Sequence, residues 1–207
     1  MLAATRKLWA EQDRHQGDRH RLFTAVAEAI GAADVLYPGS FVDVAPSFVW
    51  PRVTYVDMDR RAARFFEDAD GVAELIADHG ADPLAHRAVF LAADYRDELP
   101  LDDERFDLLV SLYTGPALDH VTRYLAPGGV LLANSSHGDV ALAALDDRYE
   151  LIGAVESRSG AYRVVDERLE RYLVPKKDVE ITADMIRASG RGIAYTRSAF
   201  AYLFRRS

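Results

Sequence analysis

Cysteine is absent from this sequence of 207 residues, so disulfide bonds, zinc–thiolate sites and a cysteine nucleophile are excluded. Long apolar runs are absent as well, and none approaches the roughly 20 residues that cross a bilayer. Charges appear at Arg6 and Lys7, too early for the apolar core of a secretory signal peptide. These absences favour a cytoplasmic protein that does not enter a membrane.

Positive charge is in deficit, with 25 Lys and Arg residues against 33 Asp and Glu residues and a formal net charge of -8. Because an acidic surface does not attract phosphate backbones, we expect a small-molecule substrate and no nucleic acid. The six histidines form no pair at metal-ligand spacing with a carboxylate nearby, so no metal site is predicted. The sequence leaves open a homodimer or another partner protein.

Short apolar runs alternate with helical patterns along the whole chain. We expect strands at residues 33–37, 53–57, 88–92, 106–113, 130–134, 149–155 and 199–204. Runs that are apolar on both faces belong in the middle of a parallel sheet covered by helices. The pattern therefore predicts a single α/β domain, 1–207, with a Rossmann-like, doubly wound, mostly parallel sheet of about seven strands and helices on both faces.

Two segments lie outside this alternation. Residues 1–30 are helical and rich in charge, and we interpret them as a cap in which Arg14 and Arg19, interspersed with acids, belong to a solvated helix face. Residues 157–197 form a lid-like insertion before the last strand. In it, Lys176, Arg191 and Tyr195 are candidates for binding an anionic group of a substrate, and the alternative is a loop with solvated charges.

The ends of the expected strands carry a series of motifs. The series comprises Gly39 after the first strand, Asp57 at the end of the second, Asp94 after the third, Phe106-Asp107 at the start of the fourth and Pro127-Gly128-Gly129 before the fifth. In this order they resemble the class I S-adenosylmethionine-dependent methyltransferases. The resemblance covers residues 35–155 and is more specific for the fold than for the chemistry.

The resemblance implies S-adenosylmethionine as cofactor and a set of residues around it. Gly39 is then the first loop glycine, Asp57 the ligand of the ribose hydroxyls and Asp94 a residue near the adenine. The acid that in the family lies near the cofactor's amino group falls at Tyr37. The alternatives are a water-facing acid at Asp57 and a turn or cap residue at Asp94.

The same loop departs from the family at two positions. Phe41 and Asp43 stand where the family has further glycines, which allow close approach and unusual backbone angles. Pro46 and Pro51 also limit the following helix to little more than one turn. Asp43 is therefore a candidate partner for the amino group or a candidate catalytic base, and the alternative is a reshaped or lost cofactor pocket.

The fourth and fifth strands add further polar candidates, because ligands bind outside the carboxyl ends of such strands. Tyr113 follows the fourth strand, and Asn134 and His137 follow the fifth. His137 is a candidate general base, Tyr113 a catalytic candidate and Asn134 a substrate ligand. Asp139 lies three residues after Ser136, the spacing of a capping box, so it is interpreted as a helix cap.

Three functions fit these residues. The first is methyl transfer from S-adenosylmethionine to a small metabolite. The second is another reaction on the same fold, such as an intramolecular displacement, a ring closure or an elimination. The third is a non-catalytic partner subunit, which an exposed apolar patch over the cleft would favour.

Overall fold

The structure is a computed structural model and describes residues 1–178 and 180–207. The α-helices are α1 (Ala3–Gln12), α2 (Asp18–Ala29), α3 (Arg60–Glu67), α4 (Ala69–Asp78), α5 (Leu118–Val121), α6 (Asp139–Leu145) and α7 (Ala183–Ser189). The strands are β1 (Asp34–Pro38), β2 (Arg52–Asp57), β3 (Arg87–Ala92), β4 (Phe106–Ser111), β5 (Leu125–Ala133), β6 (Tyr149–Arg158), β7 (Ala161–Val165) and β8 (Ala201–Arg206). Short 3-10 helices lie at Ala45–Phe48, Thr122–Tyr124 and Leu169–Tyr172.

The strands form one sheet in the order β3-β2-β1-β4-β5-β8-β6-β7. The first five of these run parallel to one another, whereas β8 is antiparallel to β5 and β6, and β7 is antiparallel to β6. The sheet is therefore mostly parallel and doubly wound, as the sequence predicts. The strand order reverses between β1 and β4, and this is where a cleft is expected in such folds.

Neighbouring residues of the central strands point to opposite faces of the sheet, because side chains alternate along a strand. Leu108 and Leu132 pack in one buried cluster, with α2, α3 and α4. Leu109 and Leu131 pack in the other, with α5, α6 and α7. Helices cover both faces for this reason, and the long apolar runs of β4 and β5 are explained by burial on both sides.

Two details differ from the sequence prediction. The sheet has an eighth strand, β7, inside the expected insertion, and it pairs with β6 through a turn at Ser159 and Gly160, both with positive φ. Strand β5 begins at Leu125, which pairs with Phe106, so the Pro-Gly-Gly motif lies within the strand. Before this strand, α5 has only one turn and is continued by the 3-10 helix at Thr122–Tyr124.

The N-terminal segment folds as the two helices α1 and α2. Helix α2 packs against β7 and against the one-turn helix at Ala45–Phe48, the segment that Pro46 and Pro51 were expected to keep short. In the insertion, α7 begins at a Thr182 side chain that accepts a hydrogen bond from the Met185 amide, and it ends at Gly190 in the left-handed conformation. No helix in the described part of the chain has the length and apolar character needed to span a bilayer.

Candidate functional site

The loops after β1 and β4 meet at the reversal point of the sheet. Gly39 has a φ of +63°, and a Cβ at this position would lie 2.7 Å from Cγ2 of Thr114. Thr114 in turn donates a hydrogen bond from Oγ1 to the carbonyl of Pro38, at 3.1 Å. A glycine is therefore required at position 39 both by its backbone angle and by this close approach.

Asp57, at the end of β2, holds the loop that follows Gly39. Its Oδ2 accepts a hydrogen bond from the Phe41 amide and its Oδ1 accepts one from the Asp59 amide, each at 2.8 Å. Phe41 has a φ of +47°, a conformation that is costly for a bulky side chain and common for glycine. Its ring packs against the guanidinium of Arg61, 4.9 Å from the ring centroid. The loop thus keeps a glycine-like turn, although a phenylalanine occupies it.

Asp94 lies in the turn after β3. Its carboxylate accepts a hydrogen bond from the Arg96 amide at 3.0 Å and pairs with both Nε and Nη2 of the same arginine. These hydrogen bonds lower the pKa of Asp94 to about 2. The role observed here is the turn role that the sequence left open as the alternative.

Two side chains from β1 and the loop after it, and one from α2, form the Tyr37–Asp43–Arg19 cluster. The Tyr37 hydroxyl donates a hydrogen bond to Oδ2 of Asp43 at 3.2 Å, and Nε of Arg19, from α2, lies 3.5 Å from the same oxygen. Asp43 is 1% exposed and Tyr37 2% exposed. Burial raises the pKa of the Asp43 carboxyl, and Arg19 opposes that shift.

This cluster changes three sequence interpretations. Asp43 and Tyr37 are buried, so neither side chain faces the cleft. A catalytic base or a partner for the cofactor's amino group would have to face it. Arg19 does not belong to a solvated helix face, because it turns inward to the buried carboxylate. It also covers the ring of Tyr113, 5.2 Å from the centroid. No spacing rule distinguishes Arg19 from its exposed neighbours in the sequence.

A cavity of about 620 Å³ lies beside the cluster. It is lined by the connection between α1 and α2, including Arg14, and by Arg19, Tyr113 and Phe200. Tyr113 is 55% exposed and has a φ of +59°. Residues other than glycine that are held in this strained backbone conformation often lie at functional sites. The volume lies in the range of small-molecule sites.

A chain of hydrogen bonds joins the loops after β4 and β5. The Tyr113 amide donates to Oδ1 of Asn134 at 3.2 Å, and the Ser136 hydroxyl donates to the same oxygen at 2.6 Å. Oγ of Ser136 also lies 2.8 Å from Nδ1 of His137. The structure therefore brings together Tyr113, Asn134 and His137, and it adds Ser136, which the sequence indicated only as a cap.

Asp139 caps a helix, but not the helix that its spacing predicted. Its buried carboxylate accepts hydrogen bonds from the amides of Ala117 and Leu118, at the start of α5, and from the Ser111 hydroxyl at 2.5 Å. Helix α6 itself begins without a side-chain cap after Gly138. Burial raises the pKa of Asp139, and these hydrogen bonds oppose the shift.

The three candidates of the insertion do not form one site. Lys176 and Arg191 are exposed, whereas Tyr195 is 3% exposed and packs near Tyr202 in the core. Burial raises the pKa of Tyr195, and the side chain offers no open surface to an anion. The prediction that Tyr195 binds an anionic group is therefore corrected, because the side chain is buried in the core.

Similar solved structures include phosphoethanolamine N-methyltransferase 1 from Haemonchus contortus, in complex with phosphoethanolamine and S-adenosylhomocysteine. It matches with a TM-score of 0.51 at 11% identity, over 94% of this chain and 43% of that chain. The chain has the class I methyltransferase fold. A possible histamine N-methyltransferase from Thermotoga maritima matches with a TM-score of 0.49 at 13% identity, over 95% of both chains.

The cyclase SpnF matches with a TM-score of 0.43 at 22% identity, over 56% of this chain and 44% of that chain. The chain thus spans less than half the length of the cyclase and of the Haemonchus enzyme. No protein-family model matches the sequence, and no curated protein matches it either. The likeness to the Haemonchus enzyme is structural and shows the fold alone.

The methyltransferase fold implies a cofactor with a nucleoside end and an amino-acid end. At the nucleoside end, Asp57 and Asp94 remain partly exposed at the carboxyl edge of the sheet. At the amino-acid end, where the resemblance places a further glycine, the side chain of Asp43 is buried and the Tyr37 hydroxyl is already bound to it. The residues present do not fit S-adenosylmethionine at that end.

Proposed function

We propose that this protein is an enzyme of the methyltransferase fold that acts on a small molecule without taking a methyl group from S-adenosylmethionine. The observation that carries this proposal is the Tyr37–Asp43–Arg19 cluster. A binding site for an amino acid needs accessible polar groups for the ammonium and the carboxylate. In this chain Tyr37 and Asp43 are buried, and Oδ2 of Asp43 is taken up by the Tyr37 hydroxyl and by Arg19.

The reaction class that the remaining polar groups support is proton transfer, as in an elimination or an intramolecular displacement. The cavity beside Arg19 offers the exposed phenol of Tyr113. His137 is linked to the same loop through Asn134 and Ser136. His137 does not line this cavity; a proton transfer that used it would need the substrate to extend from Tyr113 along the loop after β5.

Methyl transfer to a small metabolite is the second candidate. The observation in its favour is the position of Asp57 and Asp94, which lie at the ends of β2 and β3, where the family binds the nucleoside. Both carboxylates already accept hydrogen bonds within the chain. A bound nucleoside would have to share the carboxylate oxygens of Asp57 with two backbone amides. It would also have to compete with Arg96 for the carboxylate oxygens of Asp94.

Calorimetric titration with S-adenosylmethionine and with S-adenosylhomocysteine separates the two candidates. We expect no binding of either compound at millimolar concentration. Binding that is abolished by Asp57→Ala would overturn the proposal in favour of methyl transfer. Asp102→Ala, which changes an exposed acid, is the matched control for a nonspecific effect of lost charge.

A thermal-shift screen of small acids, amines and nucleosides tests the positive half of the proposal. We expect at least one compound to raise the Tm of the native chain and not that of Tyr113→Ala, because bound ligand stabilises the folded state. Arg14→Ala controls for changes at the rim of the same cavity. A compound that stabilises both Tyr113→Ala and the native chain equally would place the small-molecule site elsewhere.

A further inference from the structure

The hydrogen-bond chain after β5 fixes which atoms donate. The Tyr113 amide can only donate, so the Asn134 atom that faces it at 3.2 Å must be the carbonyl oxygen Oδ1. The same oxygen lies 2.6 Å from Oγ of Ser136. Because Oδ1 can only accept, the single hydroxyl proton of Ser136 points to Asn134.

This arrangement decides the tautomer of His137. With its proton bound to Asn134, Oγ of Ser136 is left as an acceptor toward Nδ1 of His137 at 2.8 Å. Nδ1 must therefore carry a proton. A neutral imidazole carries only one, so Nε2 has a free lone pair.

The backbone around this chain is held on both sides. Asn134 is 6% exposed, and its amide donates to the carbonyl of Ser111 at 3.2 Å. The Ser136 carbonyl accepts a hydrogen bond from the Gly192 amide at 3.2 Å. A Cβ at Gly192 would overlap the Ser135 carbonyl oxygen, so the insertion packs directly on this loop.

We propose that Asn134 and Ser136 are positioning residues that hold His137 in the Nδ1–H form, with Nε2 as the proton acceptor of the site. The use of Nε2 in catalysis rests on the proposed function, whereas the tautomer does not. His137 is partly exposed and follows β5 at the carboxyl end of the sheet.

Long-range proton–nitrogen NMR of the full chain, labelled with nitrogen-15, measures the tautomer of each histidine at about pH 8, above the usual histidine pKa. The signals of His137 are assigned as those lost in His137→Gln. We expect a proton on Nδ1 and none on Nε2. A native chain with the proton mainly on Nε2 would overturn the proposal.

Two variants test the role of Ser136. In Ser136→Ala the acceptor is lost, and we expect the ratio of Nδ1–H to Nε2–H to fall about fivefold, the factor that one neutral hydrogen bond contributes. Ser136→Thr keeps the hydroxyl and should restore the native ratio. An unchanged ratio in Ser136→Ala would remove Ser136 from the argument.

These outcomes are independent of any ligand. If the tautomer is as expected but no compound stabilises the chain, the proposed function fails and the positioning role of Ser136 stands. If a compound binds in the Tyr113 cleft but Nε2 carries the proton, the positioning role fails alone. Thermal melting of Ser136→Ala shows whether the variant is folded, and the tautomer of the native chain remains decisive if it is not.

Discussion

The two ends of the site that the fold would offer to S-adenosylmethionine are built in opposite ways. At the nucleoside end, Asp57 and Asp94 are partly exposed, and Asp94 is held by an arginine two residues away. At the amino-acid end, Tyr37 and Asp43 are buried, and their charged partner Arg19 comes from α2.

The polar groups at one end thus belong to the core, whereas those at the other end remain partly exposed. A buried carboxylate is tolerated only with a partner, so Asp43 and Arg19 depend on each other. Asp94 does not need a charged partner in this way, because it is partly exposed to solvent as well as paired with Arg96. The two ends should therefore respond differently to loss of a partner, and the predictions below measure that contrast.

The largest effect is expected for Arg19→Ala. This change leaves the carboxylate of Asp43, which is 1% exposed, without its counter-charge, and breaking such a pair costs about 3 kcal/mol of the free energy of unfolding. Urea denaturation measures the loss. Arg14→Ala, in the exposed connection that precedes α2, should change stability by less than about 0.5 kcal/mol.

A double-mutant cycle identifies the cause of that loss. Arg19→Met combined with Asp43→Leu removes both charges, so the double variant should lose less stability than the sum of the two single variants. Additive losses would show that Arg19 acts through packing rather than through Asp43, and the contrast between the two ends would then lack its electrostatic basis.

A smaller effect is expected for Asp57→Ala. Two amides lose their acceptor, and Phe41 loses the hydrogen bond that holds it at a φ of +47°. The expected cost is about 1–3 kcal/mol. Asp57→Asn keeps one acceptor oxygen and should recover part of it in the same denaturation experiment. Wild-type stability in Asp57→Ala would mean that the loop is held from the Asp43 side alone.

The sequence predicts the sheet well because buried parallel strands are continuous apolar runs, and those runs are visible without any partner. Local turns were also predicted, at Gly39 after the first strand and as the alternative for Asp94, whereas the binding roles of both residues stay predictions. The absence of cysteine and the excess of acidic residues are likewise read from the sequence without any knowledge of tertiary contacts, and they limit the kinds of site that the sequence predicts.

Roles that depend on contacts between distant segments were not predicted. Arg19 lies among acidic residues in the sequence, a pattern that predicts a solvated helix face, although its side chain reaches a buried carboxylate. Asp139 has the spacing of a cap for its own helix, yet it caps α5, which only the pairing of β4 and β5 brings near. Strand β7 follows a Ser-Gly turn, a signal that was present at Ser159 and Gly160 but lay inside an irregular segment.

The smallest effect on stability, and the clearest pH signature, is expected for Arg96→Ala. The arginine holds the pKa of Asp94 at about 2, below its ordinary value of 3.8. This stabilisation is therefore present above pH 3.8 and is lost as the pH falls toward 2. In Arg96→Ala the pKa should rise toward 3.8, as followed by NMR titration of the Asp94 carboxyl, and the dependence of stability on pH in this window should weaken. Because Asp94 remains solvated without Arg96, stability at neutral pH should change little, unlike in Arg19→Ala. A loss as large as that of Arg19→Ala would show that the nucleoside end is held as tightly as the amino-acid end.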